Sequence, residues 1–150
     1  MTNRSKAKGT AYETQLVRWL RARLGDERIE RRALHGNRDM GDIYGLVCHG
    51  NAAGIVECKA HAQVKPSLVA EWQRQTEDER ANADADFALL AIKTPGVGDK
   101  SMGRTRVRLT VGSLLAVAGV SYVRSHGIDD VAETWVETDL ETVCSLMERA

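Results

Sequence analysis

FALLAIK, residues 87–93, constrains this chain more than any other segment. It is a nearly continuous apolar run, short enough for a strand, and it ends in a lysine. A strand with one wet face alternates apolar and polar residues; a strand without alternation reads as central and buried. The remaining segments must therefore build a sheet around it and helices to cover it.

They read that way. Thr10 to Leu24 is a predicted helix, with Tyr12, Leu16, Leu20 and Leu24 at i, i+4 spacing and Gly25 as its stop. A second helix is predicted from about Ser67 to Ala83, with Pro66 at its start and Leu68, Val69 and Trp72 as its apolar positions. ERIERRAL (27–34) alternates weakly as a first strand, and strands follow at about 42–48 and 54–60. RVRLTV (106–111) alternates cleanly, SLLAVAG (113–119) is a short apolar helix and ETWV (133–136) a short strand. Thr138 reads as the cap of a last helix, Asp139 to Glu148, with Glu141 as its capping-box partner. Residues 1–9 read as loose, and TPGVGDKSMGRT (94–105) as a flexible loop. The order helix, three strands, helix, strand, strand, helix predicts one α/β domain over residues 1–150. Its core is a central mixed sheet flanked by helices.

A length of 150 residues is enough for one real core. No apolar run approaches the roughly 20 residues that span a bilayer. The N-terminus is polar and basic, unlike a signal peptide, so a cytoplasmic protein is expected. Cys48, Cys58 and Cys144 form no CxxC pair and no zinc-like spacing with histidine, which favours reduced, buried thiols. The formal net charge of zero hides an asymmetry. Residues 1–40 carry ten Lys/Arg against five Asp/Glu, and residues 125–150 one Arg against seven acids. A basic flank of that kind suits phosphate, and equally suits solvated helix faces.

The chemistry concentrates in GDIYGLVCHGNAAGIVECKA, residues 41–60, two strands joined by a turn. Glu57 and Lys59 are two apart, so both leave one face of a strand. If Gly50-Asn51 is a two-residue hairpin turn, His49 pairs with Ala52, Lys59 lies opposite Asp42 and Glu57 opposite Tyr44. Asp42, Glu57 and Lys59 then share a face. Two carboxylates at diagonal positions, with the Cys58 carbonyl as a third oxygen, suit Mg²⁺ or Mn²⁺. A lysine beside them suits the attacking water of phosphodiester hydrolysis. Glu13 on the first helix is either a second-sphere acid or the Thr10 capping-box partner. Gln75 on the second helix either holds a metal-bound water or phosphate or is an ordinary surface amide. His35, Asn37, Arg38 and Asp39 precede Asp42 in a polar loop, and Lys93 ends the apolar strand beside the same place.

Gly41-Asp42-Ile43 followed by Ile55-Val56-Glu57-Cys58-Lys59 resembles the PD-(D/E)xK nucleases. The similarity runs over about residues 6 to 115. It is nearest to the Holliday junction resolvase-like branch of archaea and bacteriophages. Lys8-Gly9 with Glu13, Arg32 through Arg38, VECKA, Trp72 with Gln75, and FALLAIK carry it further. The resemblance implies a restriction-endonuclease-like fold and a metal-dependent endonuclease on DNA, plausibly branched or junction DNA, acting as a homodimer. It assigns Asp42 and Glu57 to Mg²⁺ or Mn²⁺, Lys59 to the hydrolytic water, Glu13 as an assisting acid and Gln75 less directly. Lys6, Lys8, Arg32, His35, Arg38 and Lys93 are the candidate DNA contacts. Other nucleases on the same site, of restriction, repair or exonuclease type, and a non-catalytic DNA-binding protein of the same fold remain alternatives. Gly41 stands where the family often has proline, and HGNRDM (35–40) lacks a serine found in some resolvases.

Overall fold

The computed structural model describes residues 3–33, 36–48, 51–120 and 129–148. In chain order the elements are α1 (Asn3–Leu24), β1 (Glu30–Arg31), β2 (Ile43–Cys48), β3 (Ala52–Lys59), α2 (Pro66–Asn82) and β4 (Phe87–Ile92). A 3₁₀ helix (Asp99–Arg104), β5 (Arg106–Thr110), α3 (Val111–Val117), α4 (Asp129–Ala132), β6 (Trp135–Asp139) and α5 (Leu140–Glu148) follow. The strands make one six-stranded sheet in sequence order, β1-β2-β3-β4-β5-β6. Every neighbouring pair is antiparallel except β3–β4, which α2 connects in parallel. The α/β class and the mixed sheet flanked by helices are as the sequence predicts.

β4 organises the interior. All six of its residues are buried, and they alternate between the two faces of the sheet. Phe87, Leu89 and Ala91 join the larger core, with Leu16 and Leu20 of α1, Val117 of α3 and Val143 of α5. Leu90 and Ile92 face the other way, under Trp72 of α2, with Leu68, Val69 and Trp135 packed alongside. Full burial of one such leucine contributes roughly 1.5–3 kcal/mol. Among the described residues no helix is long and apolar enough to cross a membrane.

Several local readings change. α1 begins at Asn3, so residues 3–9 are helical rather than loose. A lone glycine at position 9 costs about 1 kcal/mol in a helix and does not end it. Thr10 is therefore inside the helix, and no Thr10–Glu13 capping box forms. β1 is only two residues long, Glu30–Arg31. The cap of α5 is Asp139, whose Oδ1 accepts the Thr142 amide at 2.8 Å, whereas Thr138 sits in β6 opposite Val107. The glycine loop after β4 contains the 3₁₀ helix.

The hairpin register also differs. Cys48, not His49, pairs with Ala52, which leaves residues 49–51 as the connection. Asn51 is left-handed at φ 64°, as in three-residue hairpins; His49 and Gly50 lie outside the described residues. A second slip occurs between Ile43 and Leu46, so that Ile43 rather than Gly45 faces Val56. Gly45 makes that bulge possible. Its φ is 89°, and a Cβ there would meet the Arg28 carbonyl oxygen at 2.2 Å. One slip turns every side chain to the opposite face; two restore it. Lys59 opposite Asp42 and Glu57 opposite Tyr44 are thus incorrect as pairs. Tyr44 faces Glu30 instead, and Asp42 still reaches Glu57 and Cys58.

Candidate active site

Along β3 the sheet changes from apolar to charged. Gly54, Ile55 and Val56 are buried in the ordinary way, and Glu57 follows at 4% exposure. In the parallel ladder Glu57 lies beside Leu90 and Lys59 beside Ile92. A carboxylate in that position requires a partner. Lys59 supplies it, with Nζ 2.7 Å from Glu57 Oε1. The i, i+2 spacing on one strand makes this contact local.

α2 closes over the pair. Lys59 Nζ also donates to Gln75 Oε1 at 3.0 Å. The Gln75 amide nitrogen donates to Glu79 Oε1 at 2.8 Å and reaches toward Glu57 Oε1 at 3.5 Å. Trp72, Thr76 and Glu79 form the buried side of α2, so Gln75 is brought to the sheet by the same stripe that packs Trp72 on Leu90.

Asp42 enters from the end of β2. Its amide donates to Val56 O at 3.0 Å, and its carbonyl accepts the Arg32 amide at 2.7 Å. Its Oδ2 accepts the Cys58 amide at 2.8 Å. Gly41, just before it, has φ 86°, a conformation closed to proline. The glycine at this position is therefore required by the backbone that leads into Asp42.

The electrostatics are those of crowded acids. Burial, then the Glu57 carboxylate, push Asp42 up to about 8, with the Cys58 amide pulling against them. Burial, then Glu79, push Glu57 up to about 8, with Lys59 pulling down. Burial also raises Glu79, while its contacts with Glu57 and Gln75 oppose the rise. Glu57 and Glu79 act on each other as a coupled pair of buried acids. Burial, then Asp42 and Glu57, raise the Cys58 thiol well above its usual range, so Cys58 contributes backbone rather than thiolate.

The other predicted residues take several places. Glu13 is half-buried and ion-paired to Arg31 at 2.8 Å, and its charge adds to the field at Asp42. Arg32 lies with its guanidinium carbon 4.8 Å from the Tyr44 ring centre, and its Nε is buried without a partner. Lys93 is exposed, and its amide donates to the Lys59 carbonyl at 2.8 Å, which places it at the charged end of β3. Arg38 is exposed and reaches Asn82 Oδ1 of α2 at 3.5 Å. Lys6 and Lys8 are exposed on the first turns of α1, roughly 8–11 Å along the axis from Glu13 at 1.5 Å per residue. His35 lies outside the described residues. Sequence reasoning missed Glu79 and the Arg31 partner of Glu13. For Glu79 there was a signal: it continues the Leu68–Trp72–Gln75 side of α2 at helical spacing.

No family model, no curated protein and no solved structure matches this chain.

Among the described residues, no three His, Cys, Asp or Glu side chains converge as a ready-made metal cage. The donor set nevertheless suits a hard cation, which takes one or two carboxylates and keeps its own water. Asp42 and Glu79 each lie against Glu57, whose ammonium partner is Lys59, and Glu79 Oε2 is buried with no partner. The cluster has more buried acid than buried base, the imbalance a divalent cation offsets.

Proposed function

We propose that this chain is a metal-dependent endonuclease of the PD-(D/E)xK type that hydrolyses DNA phosphodiester bonds. The observation that carries the reading is the convergence of Asp42, Glu57 and Lys59. Asp42 stands immediately before β2 and Glu57 in β3, and both are raised well above the usual carboxylate range, Asp42 by burial and then Glu57, Glu57 by burial and then Glu79. Acids whose pKa is raised by burial and by one another cluster at functional sites, and a cation site is the chemistry that surplus acid fits.

Asp42, Glu57 and the Cys58 carbonyl would hold Mg²⁺ or Mn²⁺. The bound ion supplies a polarised phosphate and a more acidic water. Lys59 offers a fixed ammonium that orients that water and offsets charge growing on the phosphate. Gln75 holds Lys59 by its amide oxygen. Lys6, Lys8, Arg32, His35, Arg38 and Lys93 are assigned to the DNA backbone, and branched or junction DNA to the substrate. A homodimer would bring two sites to two strands, in the cytoplasm.

The test is Mg²⁺-dependent cleavage of a four-way junction, a flap, linear duplex and single-stranded DNA. Wild type is expected to cut the junction best. Glu57→Ala should abolish cutting, and Lys59→Ala should lower it about 10²–10⁴-fold, the range for a positioned acid–base group, with both variants folded. Full activity in either folded variant defeats the assignment. Preference for linear or single-stranded DNA redirects it to a restriction, repair or exonuclease role. DNA binding without any cleavage leaves a binding protein.

A further inference from the structure

We propose that Glu79 is a positioning residue, fixing the Gln75 amide so that its oxygen holds the Lys59 ammonium against Glu57. The effect on cleavage rests on the nuclease reading; the chain of contacts does not.

The contacts run Glu79 Oε1 to Gln75 Nε2 at 2.8 Å, Gln75 Oε1 to Lys59 Nζ at 3.0 Å and Lys59 Nζ to Glu57 Oε1 at 2.7 Å. An ammonium only donates and an ionised carboxylate only accepts. Between the two, the amide has one orientation that satisfies both. Without Glu79, only the long 3.5 Å approach of Gln75 Nε2 to Glu57 Oε1 opposes the amide turning its NH₂ toward Lys59, where it would repel. Glu79 lies one helical turn after Gln75, so both project from one side of α2.

Packing does not account for the acid. Glu79 is 1% exposed, and its Oε2 has no partner. A methionine of similar length would close α2 on the sheet without burying a carboxylate, so the space alone does not call for an acid.

Two variants separate the roles. Glu79→Met keeps the volume and removes the acceptor. Glu79→Gln keeps an acceptor oxygen and removes the charge. The direct readout is NMR of the lysine side-chain ammonium groups, with Lys59 assigned by its loss in Lys59→Arg. A held ammonium exchanges slowly and is visible. The Lys59 signal should be present in wild type and Glu79→Gln and absent in Glu79→Met. Cleavage should follow it: kcat in Glu79→Met falls about tenfold or more with KM unchanged, and Glu79→Gln recovers most of it.

A visible Lys59 signal in Glu79→Met overturns the proposal, as does an absent one in wild type. So does Glu79→Gln behaving like Glu79→Met, which would make the charge, and hence cation holding, its role. If Glu79→Met does not fold, Gln75→Met cuts the same chain one link nearer Lys59 and must lose the same signal. If wild type cuts no DNA, the nuclease reading fails and the ammonium signal still decides this one.

Discussion

β3 and β4 lie side by side in parallel, residue against residue, at the same depth of one sheet. β4 is apolar and buried along its whole length. β3 is apolar only as far as Val56, then places Glu57 beside Leu90 and Lys59 beside Ile92. One helix covers both, and it matches each: Trp72 packs on Leu90 and Ile92, while Gln75 meets Glu57 and Lys59. The same burial thus serves two ends. In β4 it contributes stability. In β3 it raises Glu57 and fixes an ammonium, at a cost in stability that β4 and the larger core offset.

The sharpest way to break that contrast is to exchange the chemistry. Leu90→Ala should lower the unfolding free energy by about 2–5 kcal/mol in urea titration, through lost transfer energy and a cavity. The double variant Glu57→Leu/Lys59→Met should leave stability unchanged or raise it by up to about 4 kcal/mol, since both members of the ion pair give way to apolar neighbours for Leu90 and Ile92. Glu57→Leu alone strands the Lys59 ammonium and should cost about 3–5 kcal/mol. Both should also abolish cleavage. If the double variant destabilises as much as Leu90→Ala, β3 is a structural strand like its neighbour and the division fails.

A smaller effect comes with pH. Asp42 and Glu57 titrate near 8 in the folded protein and near 4 when unfolded. Between those values the folded state binds more protons than the unfolded state, so stability falls as pH rises through that window and levels off above it. The thermal midpoint in EDTA should therefore drop from about pH 5 to about pH 8.5. Leu90→Ala should move the whole curve down without changing this slope, and Asp42→Asn or Glu57→Gln should flatten it. Mg²⁺ should raise the midpoint more at about pH 8.5 than at about pH 6, because only ionised acids bind it. A midpoint independent of pH in this range would show that the acids are not held in the way β3 requires.

What could be read in advance follows the same line. FALLAIK announces a buried strand, because a run without alternation has few other homes. Glu57 and Lys59 share a face by period alone. The Asp42 pairing was not legible, since it depends on two slips. One lies at a three-residue turn and one at a bulge that Gly45 opens because Arg28 passes close by. The turn length is ambiguous between Gly50-Asn51 and residues 49–51, and the bulge depends on a segment distant in sequence. The face of Asp42 nevertheless came out right, because the slips cancel. Glu79 escaped notice for a different reason. An acid in a polar helical stretch reads as solvated, and only the docking of α2 buries it.

The last and smallest effect separates the buried lysine of β3 from the exposed lysines of α1. Lys59 is held between Glu57 and Gln75 with its side chain 15% exposed, so its charge is already spoken for. Lys6 and Lys8 stand in solvent with no such neighbour to define them, and their candidate task is contact with DNA phosphate. Each phosphate contact releases counterions, so each lysine lost should lower the slope of log affinity against log salt by about 1 and weaken binding to all DNA sequences alike. Lys6→Ala and Lys8→Ala should show this in fluorescence anisotropy at several salt concentrations, with kcat unchanged. Lys59→Ala should do the reverse: cleavage lost, salt slope close to wild type. Equal slopes in wild type and the α1 variants would move the DNA path off that helix, and an altered slope in Lys59→Ala would mean that its ammonium contacts phosphate before any chemistry begins.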